Sequence, residues 1–280
     1  MKKLIPACVA CVVVCSSMIA INSKKTIASD PGKTASANSG AGTDNSLEIK
    51  YWIDSLYNKM GLASVNLSRD VFFTACKGYE YMLSQNALMK QGLLTICDFS
   101  QSSSKKRLYV LDLNKCKILF NTYVSHGRNS GNDYATTFSN SNESHKSCLG
   151  FLRTAETYNG DNGYSMRLDG MEDGFNNNAR ERAIVMHGSN YVNDQRASKG
   201  AMMGRSFGCP AVPATEAKNI INCIKGGSCF FNYYPDKYYA QVSRILNASF
   251  SWPIAQTIQL ASIKIPDSLL KLSVHIDPVN

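Results

Sequence analysis

The hydrophobic pattern of the chain changes at Gly92, and this change constrains the fold more than any other feature. Before it, residues 47–60 and 68–90 carry apolar side chains at helical spacing, which predicts two helices. After it, short apolar runs with a period of two predict strands over residues 93–98, 107–114, 118–125, 149–158, 165–168, 182–187 and 228–234. Two later helices are predicted over residues 213–224 and 238–246. Helices followed by many strands and a late helix predict an α+β domain that is predominantly β.

The start of the chain differs in composition from this central part. Residues 1–28 have a basic start, a largely apolar run from Leu4 to Ile21 and small residues before Ser29, which is the layout of a secretory signal peptide. An uncleaved N-terminal anchor is the alternative, because the apolar run is just long enough to span a bilayer. Under either reading we expect the body of the protein to be exported, to the periplasm or cell envelope.

The predicted organisation has five parts. They are a signal peptide (1–28), a small and polar flexible linker (29–46), an N-terminal helical segment (47–92), a main domain (93–247) and a C-terminal extension (248–280). No other stretch is apolar enough to span a bilayer, so we expect no stable membrane span after signal cleavage, and we expect a monomer.

Charge and cysteine content limit the possible functions. The chain carries a net charge of +9, and four lysines without any acid lie in the first 28 residues, so the mature chain would carry 9 − 4 = +5. There is no stripe of Lys and Arg with interleaved aromatics, so nucleic acid is not an expected partner. Seven of the ten cysteines follow the signal peptide, an odd number that leaves at least one thiol without an intramolecular partner. No CxxC spacing occurs after the signal peptide, and no HxH or HExxH spacing is present, so we expect neither a metal nor a cofactor.

The stretch from residue 182 to residue 212 concentrates the reactive residue types. An apolar strand ends at His187 and Gly188, and a long loop rich in Gly, Ser and Asn leads to Cys209. A loop of that length inside a compact domain is usually functional. A thiol attacks as the thiolate and needs a base, for which His187 is the candidate. The backbone N–H groups of Gly208 and Cys209 are candidates for an oxyanion hole, and the Gly188 carbonyl is a candidate for fixing the histidine tautomer.

Each of these residues also has a structural interpretation. Cys209 alone is explained as well by a disulfide with Cys223 or Cys229, and His187 alone by a satisfied histidine at a strand end. Their occurrence together, as HG, a Gly-rich loop and then SxGC, favours a catalytic pair. The adjacent acids Glu172 and Asp173 are interpreted as a solvated turn.

HGSNYV and GRSFGCPAV in this stretch resemble the active-site segment of the L,D-transpeptidase (YkuD-type) catalytic domain, in its murein L,D-transpeptidase variant branch. Further segments are similar to that branch in the same order, and the resemblance covers roughly residues 70–235: CKGYEYML (76–83), DFSQSSSKKRLYVLDL (98–113), VSHGRNSG (124–131), FSNSNESHKSCLGFLRT (138–154) and YNGDNGYSMRLDGMEDGFN (158–176). The resemblance implies a mixed-strand β-sandwich or barrel core, with two N-terminal helices and a helix after the cysteine.

The resemblance also implies a mechanism and residue roles. The cysteine of the family attacks the L-centre carbonyl of a peptidoglycan stem tetrapeptide, at the diaminopimelate, and expels D-Ala. An amine of a neighbouring stem then takes the acyl group and forms a 3–3 cross-link. In this sequence Cys209 matches the nucleophile, His187 the base and Gly208 the oxyanion turn. Gly188 and Ser189 follow the base, and Ser206 matches the motif serine.

Two positions depart from the commonest family pattern. Phe207 replaces a second histidine, and Ala211 stands where an arginine is usual. Arg205 and Arg196 are therefore candidates for pairing with the substrate carboxylate. His126 is predicted to line the cleft or to be structural, and it is included among the substrate-binding candidates.

The sequence is also compatible with three other functions. An L,D-carboxypeptidase would use the same residues and transfer the acyl group to water. A non-catalytic peptidoglycan-binding module would keep the fold and use the positive charge to bind an anionic polymer. A zinc peptidase built on His126, His145 and His187 is the weakest alternative, because the three residues lack ligand spacing.

Overall fold

The computed structural model describes residues 45–249. The predicted signal peptide, nearly all of the predicted linker and all but two residues of the predicted C-terminal extension lie outside that range. The helices are α1 (Asn45–Lys59), α2 (Arg69–Ser84), α3 (Asp194–Ser198), α4 (Ala214–Ile224), α5 (Lys237–Val242) and α6 (Arg244–Asn247), with a 3₁₀ turn at Leu62–Val65. The strands are β1 (Leu93–Asp98), β2 (Leu108–Asp112), β3 (Lys117–Thr122), β4 (Gly150–Gly160), β5 (Gly163–Gly170), β6 (Val185–Ser189), β7 (Ala211–Pro213) and β8 (Cys229–Tyr233).

Helix α2 packs directly on the sheet. It begins at Ser68, whose Oγ accepts a hydrogen bond from the backbone N–H of Val71, as an N-cap serine does. Gly78 lies against the ring of Phe151, and a Cβ at this position would come within 2.0 Å of that ring. The helix ends at Ser84, six residues before the predicted end, because Asn86 adopts a left-handed conformation with φ 53°.

The eight strands form one mixed sheet in the order β3-β2-β1-β8-β4-β5-β6-β7. The β1–β8 and β6–β7 pairs are parallel and the other five pairs are antiparallel. One apolar core lies between the sheet and the N-terminal helices, and a second lies between the sheet and α4. The predicted α+β, predominantly β architecture is therefore confirmed.

The two edges of the sheet come together next to Cys209. The backbone N–H of Ser125, three residues after β3, donates to the carbonyl of Ala211 in β7 at 2.8 Å. One step further along, Ser206 and His126 are joined by a backbone hydrogen bond of 3.0 Å, and Gly127 and Ser206 form an isolated parallel bridge. These contacts nearly close the sheet into a barrel and fix the segment that carries the thiol.

Short elements account for most differences from the sequence-based expectations. Strand β7 has three residues, and α3 has five within the predicted loop 189–208, so neither is long enough to show a periodicity. The helix expected over residues 238–246 divides at Ser243, whose Oγ caps α6 by accepting from Leu246 N–H. The prediction of a solvated turn was wrong for Glu172, which is buried and accepts hydrogen bonds from Tyr239, Ser243 and the Phe151 N–H.

All seven cysteines in residues 45–249 are free thiols, and four of them are buried. The buried four are Cys76, Cys97, Cys148 and Cys229, where burial raises the pKa of each thiol. Between residues 45 and 249 no helix is both long and apolar enough to cross a membrane.

Candidate active site

His187 lies near the middle of β6 with its ring almost completely buried. Its Nδ1 is 3.0 Å from the carbonyl oxygen of Gly188. A carbonyl only accepts, so Nδ1 carries the proton and Nε2 keeps its lone pair. Burial lowers the pKa of His187 from 6.5, while the Gly188 carbonyl opposes that shift. The ring is therefore a neutral imidazole at pH 7, with Nε2 able to accept a proton.

Gly188 allows β6 to pack closely on α4. A Cβ at this position would come within 2.9 Å of the Ala217 side chain and 3.1 Å of the Ala214 backbone. This contact holds the carbonyl that orients the His187 ring.

Cys209 lies two residues before β7, the strand that runs parallel to β6. His187 pairs with Ala211 in the parallel β6–β7 register, so Cys209 lies level with Val185, two residues before His187. Its Sγ accepts from the Val185 N–H at 3.5 Å and donates to the Ala183 carbonyl at 3.6 Å. Residues i and i+2 of a strand point to one face about 7 Å apart, so the thiol and the imidazole are neighbours along β6. Among the hydrogen bonds of residues 45–249, none joins Sγ to the His187 ring.

The thiol is half-buried and protonated at neutral pH. Burial raises the pKa of Cys209 above 9.0, and the Val185 N–H and the positive charge of Arg182 offset only part of that rise. With the pKa of His187 lowered and that of Cys209 raised, the two groups are both neutral at pH 7. The arrangement suits proton transfer from the thiol to the imidazole during attack rather than a pre-formed ion pair.

Ser206 shapes the turn that presents Cys209. Its Oγ accepts from the Gly208 N–H at 3.1 Å and donates to the Cys209 carbonyl at 2.6 Å. Gly208 has φ 119°, and a Cβ there would lie 2.7 Å from the Lys146 carbonyl oxygen, so the turn requires glycine. The expected oxyanion hole is corrected in one respect, because the Gly208 N–H is already bonded to Ser206. The Cys209 N–H, in contrast, donates to no acceptor among residues 45–249.

The predicted substrate-binding residues are not all accessible. Ser206 is buried and bonded within the turn, and Ser189 is half-buried with its Oγ accepting from the Tyr191 N–H at 3.4 Å. Arg205 is exposed and bonds the carbonyls of Arg128 and Gly131 and the side chain of Asn132. The Nε of Arg196 donates to the Met202 carbonyl at 3.0 Å.

His126 is fully buried, which agrees with the structural one of its two predicted roles and leaves no exposed surface for a substrate to contact. Its Nδ1 is 2.7 Å from the guanidinium of the fully buried Arg107, and its carbonyl accepts from the Ser206 N–H. Burial, followed by the positive charge of Arg107, lowers the pKa of His126 to about 4. Neutral His126 therefore accepts a hydrogen bond from Arg107. Its carbonyl supports the turn through the hydrogen bond from Ser206.

Acidification from pH 7 to pH 4.5 is expected to destabilise the fold through His126. An unfolded histidine takes up a proton below about pH 6.5, whereas folded His126 does so only near pH 4. The contribution of neutral His126 to the free energy of unfolding is therefore complete above pH 6.5 and is lost as the pH falls toward 4. We expect a loss of about 1–3 kcal/mol. Urea unfolding at the two pH values measures this loss.

The matched variant for that measurement is His126→Asn, which keeps an acceptor for Arg107 but does not titrate in this range. We expect a smaller loss of stability on acidification in the variant than in the wild type. An equal loss in both proteins would show that His126 does not contribute.

Several residues of this region carry no sequence signal for the site. Arg182 bonds the carbonyls of Ser139 and Lys146, and its positive charge offsets part of the rise in the pKa of Cys209. Tyr191 packs on Gly204, and burial, with a smaller contribution from Cys209, raises the pKa of Tyr191. Phe207 stacks with His145 under the guanidinium of Arg128. Phe207 lies in the same turn as the thiol, whereas Arg128 and His145 are far from it in sequence and only the tertiary fold brings them there.

Within the described part of the chain, no group of three or more His, Cys, Asp and Glu side chains is placed to hold a metal ion. His126, His145 and His187 each have other partners, namely Arg107, Arg128 and the Gly188 carbonyl.

The fold and site define a nearly closed mixed β-sheet domain with an oriented imidazole on one strand and a free thiol just before the neighbouring parallel strand. Comparison with known families agrees with this class. The sequence profile of the L,D-transpeptidase catalytic domain matches residues 63–233, which is more than half of the chain. The chain therefore belongs to the L,D-transpeptidase catalytic domain family.

Solved structures of low sequence identity are also similar to the chain. An L,D-transpeptidase from Mycobacterium smegmatis is 11% identical with a TM-score of 0.33, over 51% of this chain and 59% of that one. The helical cell shape determining protein Pgp2 from Campylobacter jejuni is 14% identical with a TM-score of 0.32, over 57% of each chain. An L,D-transpeptidase from Xylanimonas cellulosilytica is 13% identical with a TM-score of 0.29, over 73% of this chain and all of that one. The match thus spans less than two thirds of the first two chains. A search of curated proteins finds no match.

Proposed function

We propose that this protein is an exported murein L,D-transpeptidase that uses Cys209 as nucleophile and His187 as general base. The observation that carries the proposal is a free Cys209 thiol hydrogen-bonded to Val185 in the strand that also holds His187, whose Nδ1 is bonded to the Gly188 carbonyl, within a domain of this family. The substrate class is the peptidoglycan stem peptide on which the family acts.

The proposed acylation begins with rotation of the thiol from the Ala183 carbonyl toward the ring. His187 Nε2 takes the Sγ proton as Sγ bonds to the L-centre carbonyl carbon of the diaminopimelate. The Cys209 N–H is the candidate donor to the resulting oxyanion, since no acceptor is recorded for it among the described residues. The bond to the D-Ala nitrogen then breaks, the imidazolium returns the proton to that nitrogen, and D-Ala leaves.

Transfer from the thioester completes the cycle. An amine of a neighbouring stem attacks the thioester carbon, gives its proton to His187 and receives the acyl group, forming a 3–3 cross-link. The C–S bond breaks, and the proton returns to Sγ. Water in place of the amine gives the L,D-carboxypeptidase reaction with the same residues.

The function is tested by incubating the purified protein with tetrapeptide muropeptides. We expect release of one D-Ala for each donor consumed, together with 3–3 linked dimers separated by liquid chromatography and identified by mass. Protein alkylated on its thiols is the control and should release none.

The products separate the alternatives. Release of D-Ala without dimers would indicate the carboxypeptidase. Binding to sacculi without any release or trapped thioester would contradict the enzymatic proposal and favour a wall-binding module. Export is tested separately, by locating the protein in fractionated cells and determining its N-terminus.

A further inference from the structure

A cationic and aromatic cluster lies directly on the turn that carries the thiol. Phe207, two residues before Cys209, is 63% exposed, so its ring adds little to the core. The His145 ring lies 4.6 Å from it with an interplanar angle of 31°, and the Arg128 guanidinium lies 4.7 Å above the Phe207 ring centre. We refer to Arg128, His145 and Phe207 as the turn cluster.

The turn cluster is held in place by the same contacts that close the sheet. The Arg128 backbone N–H donates to the Ser206 carbonyl at 2.8 Å, and the Arg128 guanidinium is 2.8 Å from His145 Nδ1. Gly127 allows this approach, because a Cβ there would lie 2.5 Å from the His145 carbonyl oxygen. The guanidinium is thus pre-oriented at the surface above Phe207, two residues along the chain from Cys209, and this reduces the entropy lost when it binds an anion.

The two other arginines near the thiol donate hydrogen bonds to carbonyls of the protein. Arg182 donates to the Ser139 and Lys146 carbonyls, and Arg205 donates to the Arg128 carbonyl. Arg128, in contrast, is exposed. Within residues 45–249 its guanidinium forms no ion pair, and its one hydrogen bond is that to His145. Its other N–H groups are thus available to an external acceptor.

A guanidinium stacked on an aromatic ring and offering a free N–H edge is suited to a planar carboxylate. The donor stem carries a terminal carboxylate on the D-Ala that leaves, one residue from the carbonyl attacked by Cys209. Capture of this group would place the scissile bond so that a single residue is expelled.

We propose that Arg128 binds the terminal carboxylate of the donor peptide and so determines that the enzyme acts on stems with one free residue beyond the attacked carbonyl. This assignment rests on the proposed function. Arg128 then pairs with the substrate carboxylate, the role for which the sequence suggested Arg205 or Arg196. Phe207 and His145 position the guanidinium.

The test compares two donors, the tetrapeptide with a free terminal carboxylate and the same peptide with a terminal amide. We expect Arg128→Gln to lower kcat/KM for the free donor about 10–100-fold, chiefly through KM, as expected for loss of a hydrogen bond to a charged group. For the amide donor we expect little change. Arg128→Lys should give an intermediate loss, since lysine keeps the charge without the planar fork. Lys106→Gln, which removes an exposed cation stacked on Tyr123, is the matched control and should behave as wild type.

Binding provides a readout without chemistry. In the Cys209→Ala background, the dissociation constant for the free donor should rise by a similar factor when Arg128→Gln is added, and the constant for the amide should not. Equal losses for both donors, or no loss for the free donor, would overturn the proposal. A third donor, amidated only on the diaminopimelate carboxylate, tests whether Arg128 binds that group instead. If Arg128→Gln lowers kcat/KM for the other two donors but not for this one, the terminal assignment is overturned. Absence of D-Ala release by wild type, with carboxylate-dependent binding retained, would overturn the proposed function but not this subsite.

Discussion

Replacing Cys209 by alanine is expected to lower the rate of D-Ala release by about 10⁴-fold or more, because no other group can form the thioester. The substitution removes a half-buried thiol that makes two long hydrogen bonds and no disulfide, so the fold should be retained. Release of D-Ala from tetrapeptide muropeptides measures the loss. The second readout is the intact mass of the protein after incubation with a carbapenem, whose β-lactam carbonyl acylates a nucleophilic thiol. Wild type should gain one adduct and the variant none.

Cys223 provides the matched control for this prediction. It is also a half-buried free thiol, and burial raises the pKa of Cys223 as it does that of Cys209. Cys223→Ala should keep both the activity and the carbapenem adduct. Retained release in Cys209→Ala, or an adduct that maps to Cys223, would contradict the assignment of the nucleophile.

The sequence was most informative where periodic patterns are long. Strand β1 was predicted with its observed bounds, and the alternation of the other strands located them to within a few residues. The end of α2 was predicted too late, since nothing in the hydrophobic pattern marks the left-handed conformation of Asn86. Strand β7 was missed because three residues cannot display a period.

The site was predicted only in part, for a physical reason. His187 and Cys209 lie at the two ends of one loop and match a family motif, so the local sequence was enough to predict them as candidates. Arg128 and His145 contact the turn from segments far along the chain, and Arg107 supports it indirectly through His126. A sequence does not show contacts made by sheet closure. The bond between Ser206 Oγ and the Gly208 N–H likewise depends on the rotation of one side chain.

The neutral state of both reacting groups leads to a prediction about pH. Burial lowers the pKa of His187 from 6.5, so the imidazole is protonated, and the base lost, only at a pH below that value. We expect kcat/KM to rise with pH through a single pKa below 6.5 and to stay level through pH 7–8. Because the pKa of Cys209 is raised above 9.0, the level region reflects base catalysis of a neutral thiol and not a growing thiolate fraction.

Replacing His187 by glutamine tests this interpretation, with an expected loss of about 10²–10⁴-fold in kcat/KM at pH 7. The acid limb should disappear, because no titrating base remains, and the residual rate should increase tenfold per pH unit toward the pKa of Cys209. Alkylation of Cys209 by iodoacetamide, followed over the same pH range, reports the thiolate directly and should follow the residual activity of the variant. An acid limb that persists in His187→Gln would assign the base to another group. A wild-type alkylation profile with a thiol pKa well below 9 would instead indicate an ion pair formed before substrate binds, and would replace base catalysis as the source of the nucleophile.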